Sequence, residues 1–340
     1  MPLHFVVLAC LLAIGCNQNV AATPNGPGLT DGGSSVDLTG SDLAGAASVD
    51  LAGPDFALPP GAHDYGHDGP EAVTEQTETV SGPSGSFQVV VYLPGSAGTH
   101  PVVILSSGLL QPAAGYASYG HRLASWGMVA IERDDPGFTT QSSAIAGDVT
   151  YLATSWLSSG PLAGMVDPAR IGLAGHSRGG QVALLAAEGG LKGKVKGVFG
   201  LDPVDGSQGG TTASGSLGSI GIPTTFIGEL TDSTGGTLGM ACAPADSNFQ
   251  VLYAAAPSPS VEITAVNADH TQLEDAAGCM YCGACTAGTA DGATVLAYSV
   301  KYLTAFFARE LLGDAAVGAA FAGAGAAADL TAGRIQLTSK

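Results

Sequence analysis

Apolar residues run along this chain in two patterns. Thr74 to Val80 and Gly85 to Leu93 alternate apolar with polar, the period of strands that bury one face, and the turn between them predicts an antiparallel hairpin. Pro101 to Leu105 and Val129 to Ile131 are unbroken apolar runs, as in parallel strands buried on both faces. Helical spacing covers Tyr116 to Trp126 and Ser143 to Leu157. Arg170 to His176 reads as a further buried strand, followed from Gln181 to Glu188 by alanine and leucine at helix-forming density. Strands at Val195 to Leu201, Thr224 to Gly228 and Val261 to Val266 continue the series, and Asp291 to Leu312 closes it as an amphipathic helix. Strands alternating with helices predict an α/β fold: a mostly parallel sheet with helices on both faces, its ligands outside the carboxyl ends of the strands.

The N-terminal fifth departs from this pattern. Phe5 to Gly15 is an apolar stretch of signal-peptide length, too short to span a bilayer, and Leu12-Ala13-Ile14-Gly15-Cys16 resembles a bacterial lipobox. That pattern predicts a signal peptide over 1–15 and a lipid on Cys16, hence an exported lipoprotein at the cell envelope or surface. No Lys or Arg precedes the apolar stretch, and alanine stands where the lipobox usually has leucine. Residues 16–71, rich in Gly, Ala, Ser, Pro and Asp, bury too little apolar surface to fold and read as a tether. Its echo of Ser35-Val36-Asp37-Leu38-Thr39-Gly40 in Ser48-Val49-Asp50-Leu51-Ala52-Gly53 fits a self-repelling linker better than a calcium repeat. The remaining 72–340 is long enough for one large domain, expected to be monomeric.

Charge narrows the partners. The formal net charge is −18 from 11 basic and 29 acidic residues, and the first basic residue is Arg122. No basic footprint for nucleic acid exists, and membrane attachment is expected only through the lipid on Cys16.

The chemistry concentrates at Gly175-His176-Ser177-Arg178-Gly179, a G-x-S-x-G elbow between predicted strand and helix. Small residues are required at Gly175 and Gly179 because the sharp turn presses the serine backbone on its neighbours. Ser177 is the candidate nucleophile. A serine hydroxyl needs a base, itself oriented by an acid, and in elbow enzymes the order is Ser, acid, His. His270 is the sole histidine after Ser177, placed just past a predicted strand. Two carboxylates follow strands in the right interval, Asp202 and Asp232, and spacing favours Asp232. The candidate oxyanion donors are the Arg178 and Leu109 amides, the latter from the loop Ser106-Ser107-Gly108-Leu109-Leu110. Glu132, Asp134 and Asp135 end a strand at the same edge, read as loop-solvating or helix-capping groups outside the site. The Arg178 side chain could hold a carboxylate, but its amide is the expected contribution.

Four ordered segments resemble the chlorophyllases, a family of α/β-hydrolases: Gly175 to Gly180, Gly200-Leu201-Asp202-Pro203-Val204-Asp205-Gly206, Cys242-Ala243-Pro244, and Asp269 to Asp275. The resemblance covers about residues 85 to 310. It implies an α/β-hydrolase fold, carboxylic-ester hydrolysis without metal or cofactor, and Asp202 as the acid, an assignment platelet-activating factor acetylhydrolases share. Pro223 to Asp232 is also similar to the acid-bearing segment of cutinase-like polyester hydrolases, which keeps Asp232 open. The oxyanion loop has Ser107-Gly108 where chlorophyllases have His-Gly, so the ester substrate is not fixed. Lipase or polyester hydrolase action is the alternative, and a displayed binding lipoprotein on the same fold is the rival of another class.

With Cys10 removed and Cys16 lipidated, Cys242, Cys279, Cys282 and Cys285 remain, an even number in an oxidising compartment. Two disulfides are expected, with the pairing open. A zinc site on the same cysteines is the alternative.

Overall fold

The computed structural model describes residues 63–206, 211–235, 241–276, 282–317 and 324–340. The expected signal segment, Cys16 and the repeats lie outside the described residues. Strands β1 (Val73–Gly82) and β2 (Gly85–Pro94) form the predicted hairpin, paired from Val73 with Pro94 to Gly82 with Gly85. Then come β3 (His100–Ser106), helix α1 (Ala117–Ser125), β4 (Val129–Arg133), and α2 (Ser142–Tyr151), which a π turn joins to α3 (Leu157–Ser159). They are followed by β5 (Val166–His176), α4 (Arg178–Glu188), β6 (Val195–Leu201), β7 (Thr224–Gly228), α5 (Phe249–Ala255), β8 (Ser260–Ala265) and α6 (Gly292–Phe307). Helix Ala324–Thr331 and strand β9 (Ile335–Ser339) end the chain.

The strands form one sheet of order β1-β2-β4-β3-β5-β6-β7-β8-β9. From β4 to β8 neighbours run parallel, while β1, β2 and β9 are antiparallel to their partners. The unbroken apolar runs are explained by burial on both faces. Val102 and Ile104 of β3 point to one side with Val198, Phe226 and residues of α2, α4 and α5. Val103 and Leu105 point to the other, with Phe199, Ile227 and residues of α1 and α6. Period-two alternation thus feeds two cores from one strand.

Three elements carried no expectation from the sequence: α5, helix Ala324–Thr331 and β9. The described residues begin at 63, before the expected domain boundary at 72, and Tyr65 is buried in the core beside Trp126. Composition missed this because one tyrosine among glycine, aspartate and histidine leaves no periodic signal. On the opposite face of the sheet, Asp148 of α2 accepts from the Ser84 amide in the hairpin turn (2.9 Å) and from Arg133 Nη2 (2.7 Å), with the Arg–Asp pair fully buried. The parallel strands all end at one edge, where Ser177, Asp202, Glu229 and the loop after β3 converge.

Candidate active site

At the end of β5 the backbone turns sharply into α4. Ser177 sits at φ 53°, ψ −123°, a conformation that non-glycine residues avoid unless their surroundings impose it. A Cβ at Gly175 would lie 2.1 Å from the Gly179 carbonyl oxygen, and one at Gly179 would lie 2.0 Å from that of Ser106. Both glycines are therefore steric requirements, as the spacing predicted. Gly180 is a third, since a Cβ there would fall 2.4 Å from Cβ of Pro203. The Ser177 amide donates to Leu201 O (3.0 Å) and its carbonyl accepts from Val204 (3.0 Å), which fastens the turn to the end of β6.

Asp202 follows β6 directly and is fully buried. Its Oδ2 lies 2.6 Å from Nδ1 of His270, while its Oδ1 accepts from the Glu229 amide (3.2 Å). Room for this carboxylate comes from Gly228, where a Cβ would meet Asp202 Oδ1 at 2.6 Å. A carboxylate accepts, so Nδ1 of His270 donates and Nε2 keeps its lone pair. Burial disfavours the charged ring, but the hydrogen bond and charge of Asp202 outweigh it, and the His270 pKa is raised above 6.5.

Asp232, the other candidate acid, holds the backbone of His270 instead of its ring. Its Oδ2 accepts from the His270 amide (3.1 Å) and its Oδ1 from the Thr286 amide. Sequence order cannot distinguish these roles because both aspartates follow strands at the same edge. Asp269 completes the clamp, accepting from the Thr271 amide (2.9 Å) and the Gly288 amide (2.7 Å).

Behind His270 lies His176, buried, its ring 4.6 Å from that of His270. Burial and the neighbouring His270 lower its pKa well below 6.5, so the ring is neutral. Its Nε2 donates to the His270 carbonyl (3.0 Å), which leaves Nδ1 to accept from the Tyr116 hydroxyl (2.8 Å). That hydroxyl in turn accepts from the Gly108 amide (3.0 Å). One continuous hydrogen-bonded chain thus joins the loop after β3 to the backbone of His270. The middle residue of the elbow motif gave no hint of this in the sequence.

In the loop after β3, which carries the candidate donor Leu109, nearly every backbone amide has a partner. Ser107 donates to Arg133 O (3.1 Å), Gly108 to Tyr116, Leu110 to Asp135 Oδ1 (3.0 Å), Gln111 to Gly108 O (3.0 Å) and Ala113 to Asp134 Oδ1 (2.7 Å). Pro112 has no N–H. Among the described residues Leu109 is the amide of this stretch without a partner. The Ser177 hydroxyl likewise makes no hydrogen bond among the described residues. Asp134 and Glu132 each hold a backbone amide of an earlier segment rather than capping the helix that follows them: Asp134 accepts from Ala113 and Glu132 from Gly120 (2.9 Å). Asp135 departs from expectation: it is a buried partner of the Arg178 guanidinium, whose side chain therefore does hold a carboxylate.

Two buried acids sit close by. Burial and the Asp202 charge push the Glu229 carboxyl up to about 8, and burial pushes Glu274 up to about 8 as well. Glu229, Asp202 and His270 form one compact group of potential metal ligands, but the imidazole nitrogen facing the carboxylate is occupied by the 2.6 Å hydrogen bond. Asp232 with Cys242 and Cys285 forms another, in which both sulfurs are joined as a disulfide. Cys282 is disulfide-bonded too, and Cys279 lies outside the described residues. The zinc alternative fails at these three cysteines because a metal needs free thiolates.

A strained serine closing the central strand of a mostly parallel sheet, with the other polar groups on the loops beyond neighbouring strands, makes this an α/β-hydrolase. Within that class, the family model described as Chlorophyllase matches residues 63–314, and the chain belongs to the chlorophyllase family. No curated protein matches it.

Proposed function

We propose that this hydrolase cleaves carboxylic esters through Ser177, His270 and Asp202. The observation that carries the reading is the 2.6 Å contact of Asp202 with His270 Nδ1. It leaves the opposite ring nitrogen as the base, on the strand edge that carries the strained serine. Ser177 Oγ attacks the ester carbonyl and His270 Nε2 takes its proton. The Leu109 and Arg178 amides hold the developing oxyanion, and the protonated ring then gives its proton to the departing alcohol. Water, deprotonated by the same nitrogen, attacks the acyl-enzyme and releases the acid. The unpartnered Leu109 amide supports its role as donor, and no metal or cofactor enters any step.

The chlorophyllase family points to esters of a bulky acid with an apolar alcohol. Phe138 and Leu230, large apolar side chains exposed on the loops after β4 and β7, support an apolar substrate. We further propose an exported lipoprotein, anchored through Cys16 and a tether, working as a monomer on esters outside the cell. Hydrolysis of p-nitrophenyl esters of rising chain length, with chlorophyll a and a polyester film alongside, tests the substrate reading. Preference for chlorophyll a supports chlorophyllase action, whereas turnover of the film or of long acyl chains in its place assigns a polyester hydrolase or lipase.

A further inference from the structure

We propose that Asp135 is a positioning residue that locks the two oxyanion donors into one rigid unit; this rests on the ester-hydrolase reading above. The two donors belong to different elements, Leu109 to the loop after β3 and Arg178 to the first turn of α4. A hole made of two separate backbone amides works only if both are held at fixed distance from one point, so something must tie the loop to the helix.

Asp135 touches both. Its side chain is almost wholly buried. Oδ1 accepts from the amide of Leu110 (3.0 Å) and from that of Gly137 (2.8 Å). Oδ2 accepts from Arg178 Nε (2.9 Å) and from Arg178 Nη2. The same guanidinium reaches the carbonyls of Gly137 (3.1 Å) and Thr140 (3.2 Å), so it is fixed in its plane rather than swinging from one carboxylate.

The main chain of Asp135 acts on the loop by a second route. Its amide donates to Gln111 O (3.1 Å), and the Gln111 amide donates to Gly108 O (3.0 Å). The Gly108 carbonyl shares a peptide plane with the Leu109 N–H, and in a trans peptide the two point in opposite directions. Holding that carbonyl toward Gln111 therefore aims the Leu109 N–H away from the loop. Leu110 is held at φ 61°, in the left-handed region that a leucine avoids unless it is fastened there. The Asp135 carboxylate supplies that fastening. It also neutralises the guanidinium next to the nucleophile, so the amides meet the oxyanion without an unpaired buried charge beside them.

The experiment compares wild type, Ser177→Ala, Asp135→Asn and the double variant Asp135→Asn/Arg178→Gln. The last removes both charges of the buried pair, so neither is stranded should the single variant fold poorly. Rates of p-nitrophenyl ester hydrolysis are expressed per active site titrated with a fluorophosphonate, and inhibition by a trifluoromethyl ketone, whose hemiketal oxyanion occupies the hole, is measured alongside. The expected result for both Asp135 variants is a fall in kcat of about 10- to 100-fold, with KM little changed and ketone affinity weakened by a similar factor. The pH midpoint set by His270 should not move. Wild-type kcat per titrated site with unweakened ketone binding in the double variant would overturn the brace, because loss of folded protein alone lowers the titre and not the rate per site. Absence of Ser177-dependent turnover in wild type would overturn the hydrolase reading and the brace with it.

Discussion

At the scale of single residues, the two aspartates that sequence order could not separate do different things. Asp202 meets the ring of His270, and Asp232 meets its backbone amide. Asp202→Asn should therefore lower kcat by about 10⁴-fold, as when a triad acid stops fixing the tautomer. Asp232→Asn keeps an oxygen for the His270 amide and should cost far less in rate. Steady-state kinetics on both variants checks this, and equal losses would contradict the division of roles. As the proposed base, His270 must be neutral to accept the serine proton, and its pKa is raised above 6.5 by Asp202. Activity should accordingly rise with pH through a midpoint above 6.5, whereas a rate that stays flat down to pH ~5 would exclude a histidine base. Ser177 and His270 were legible as candidates in the sequence because motif spacing and uniqueness mark them. Asp135, His176 and Tyr116 were not, since their roles depend on contacts between strand ends, loops and turns far apart in the chain.

At the scale of elements, unbroken apolar runs identified the parallel strands because burial on both faces erases alternation. The helix expected over Ser143 to Leu157 is interrupted by a π turn at Leu152–Trp156, a change in hydrogen-bond pattern that apolar spacing does not encode. Strand β9 buries Ile335 at the sheet edge and exposes most of its other residues, so its short sequence offered too little pattern to register. The Cys242–Cys285 disulfide links the segment after β7 to the segment after the histidine turn, and Asp232 bonds both neighbouring backbones: its carbonyl accepts from Ala243 (3.3 Å) and its carboxylate from Thr286. That cross-link spans 43 residues and restricts the unfolded chain across the segment that carries His270. Reduction should lower the thermal midpoint and the rate together, as followed by differential scanning calorimetry and ester hydrolysis with and without reductant. An unchanged midpoint in reductant would contradict a structural role for the bridge.

For the molecule as a whole, the acidic balance governs solubility and partners, while a few buried acids govern how stability responds to pH. Glu229 and Glu274, ordinarily near 4.5, ionise near 8 in the folded chain. Such groups stabilise the fold fully below 4.5 and lose that contribution as pH rises toward 8. His270, raised above 6.5, loses its contribution in the upper part of the same window. Neutral His176, its pKa depressed, works in the opposite direction but only up to about 6.5. The thermal midpoint should therefore fall most steeply between pH ~6.5 and ~8, and Glu229→Gln should flatten that slope. A midpoint that climbs through this interval would contradict buried neutral acids beside the site.

Everything proposed for this hydrolase requires that Ser177, strained at the carboxyl edge of the sheet and beside His270 and Asp202, be a working nucleophile. The most direct measurement is labelling of the whole chain by a fluorophosphonate, with the modified residue located by mass spectrometry in wild type, Ser177→Ala and His270→Ala. The expected result is one phosphonyl group on Ser177 of the wild type, none there in Ser177→Ala, and labelling of His270→Ala slowed by at least about 10³-fold, as when the base is lost. Labelling elsewhere, or a Ser177 that stays unmodified in active, folded protein, would contradict it.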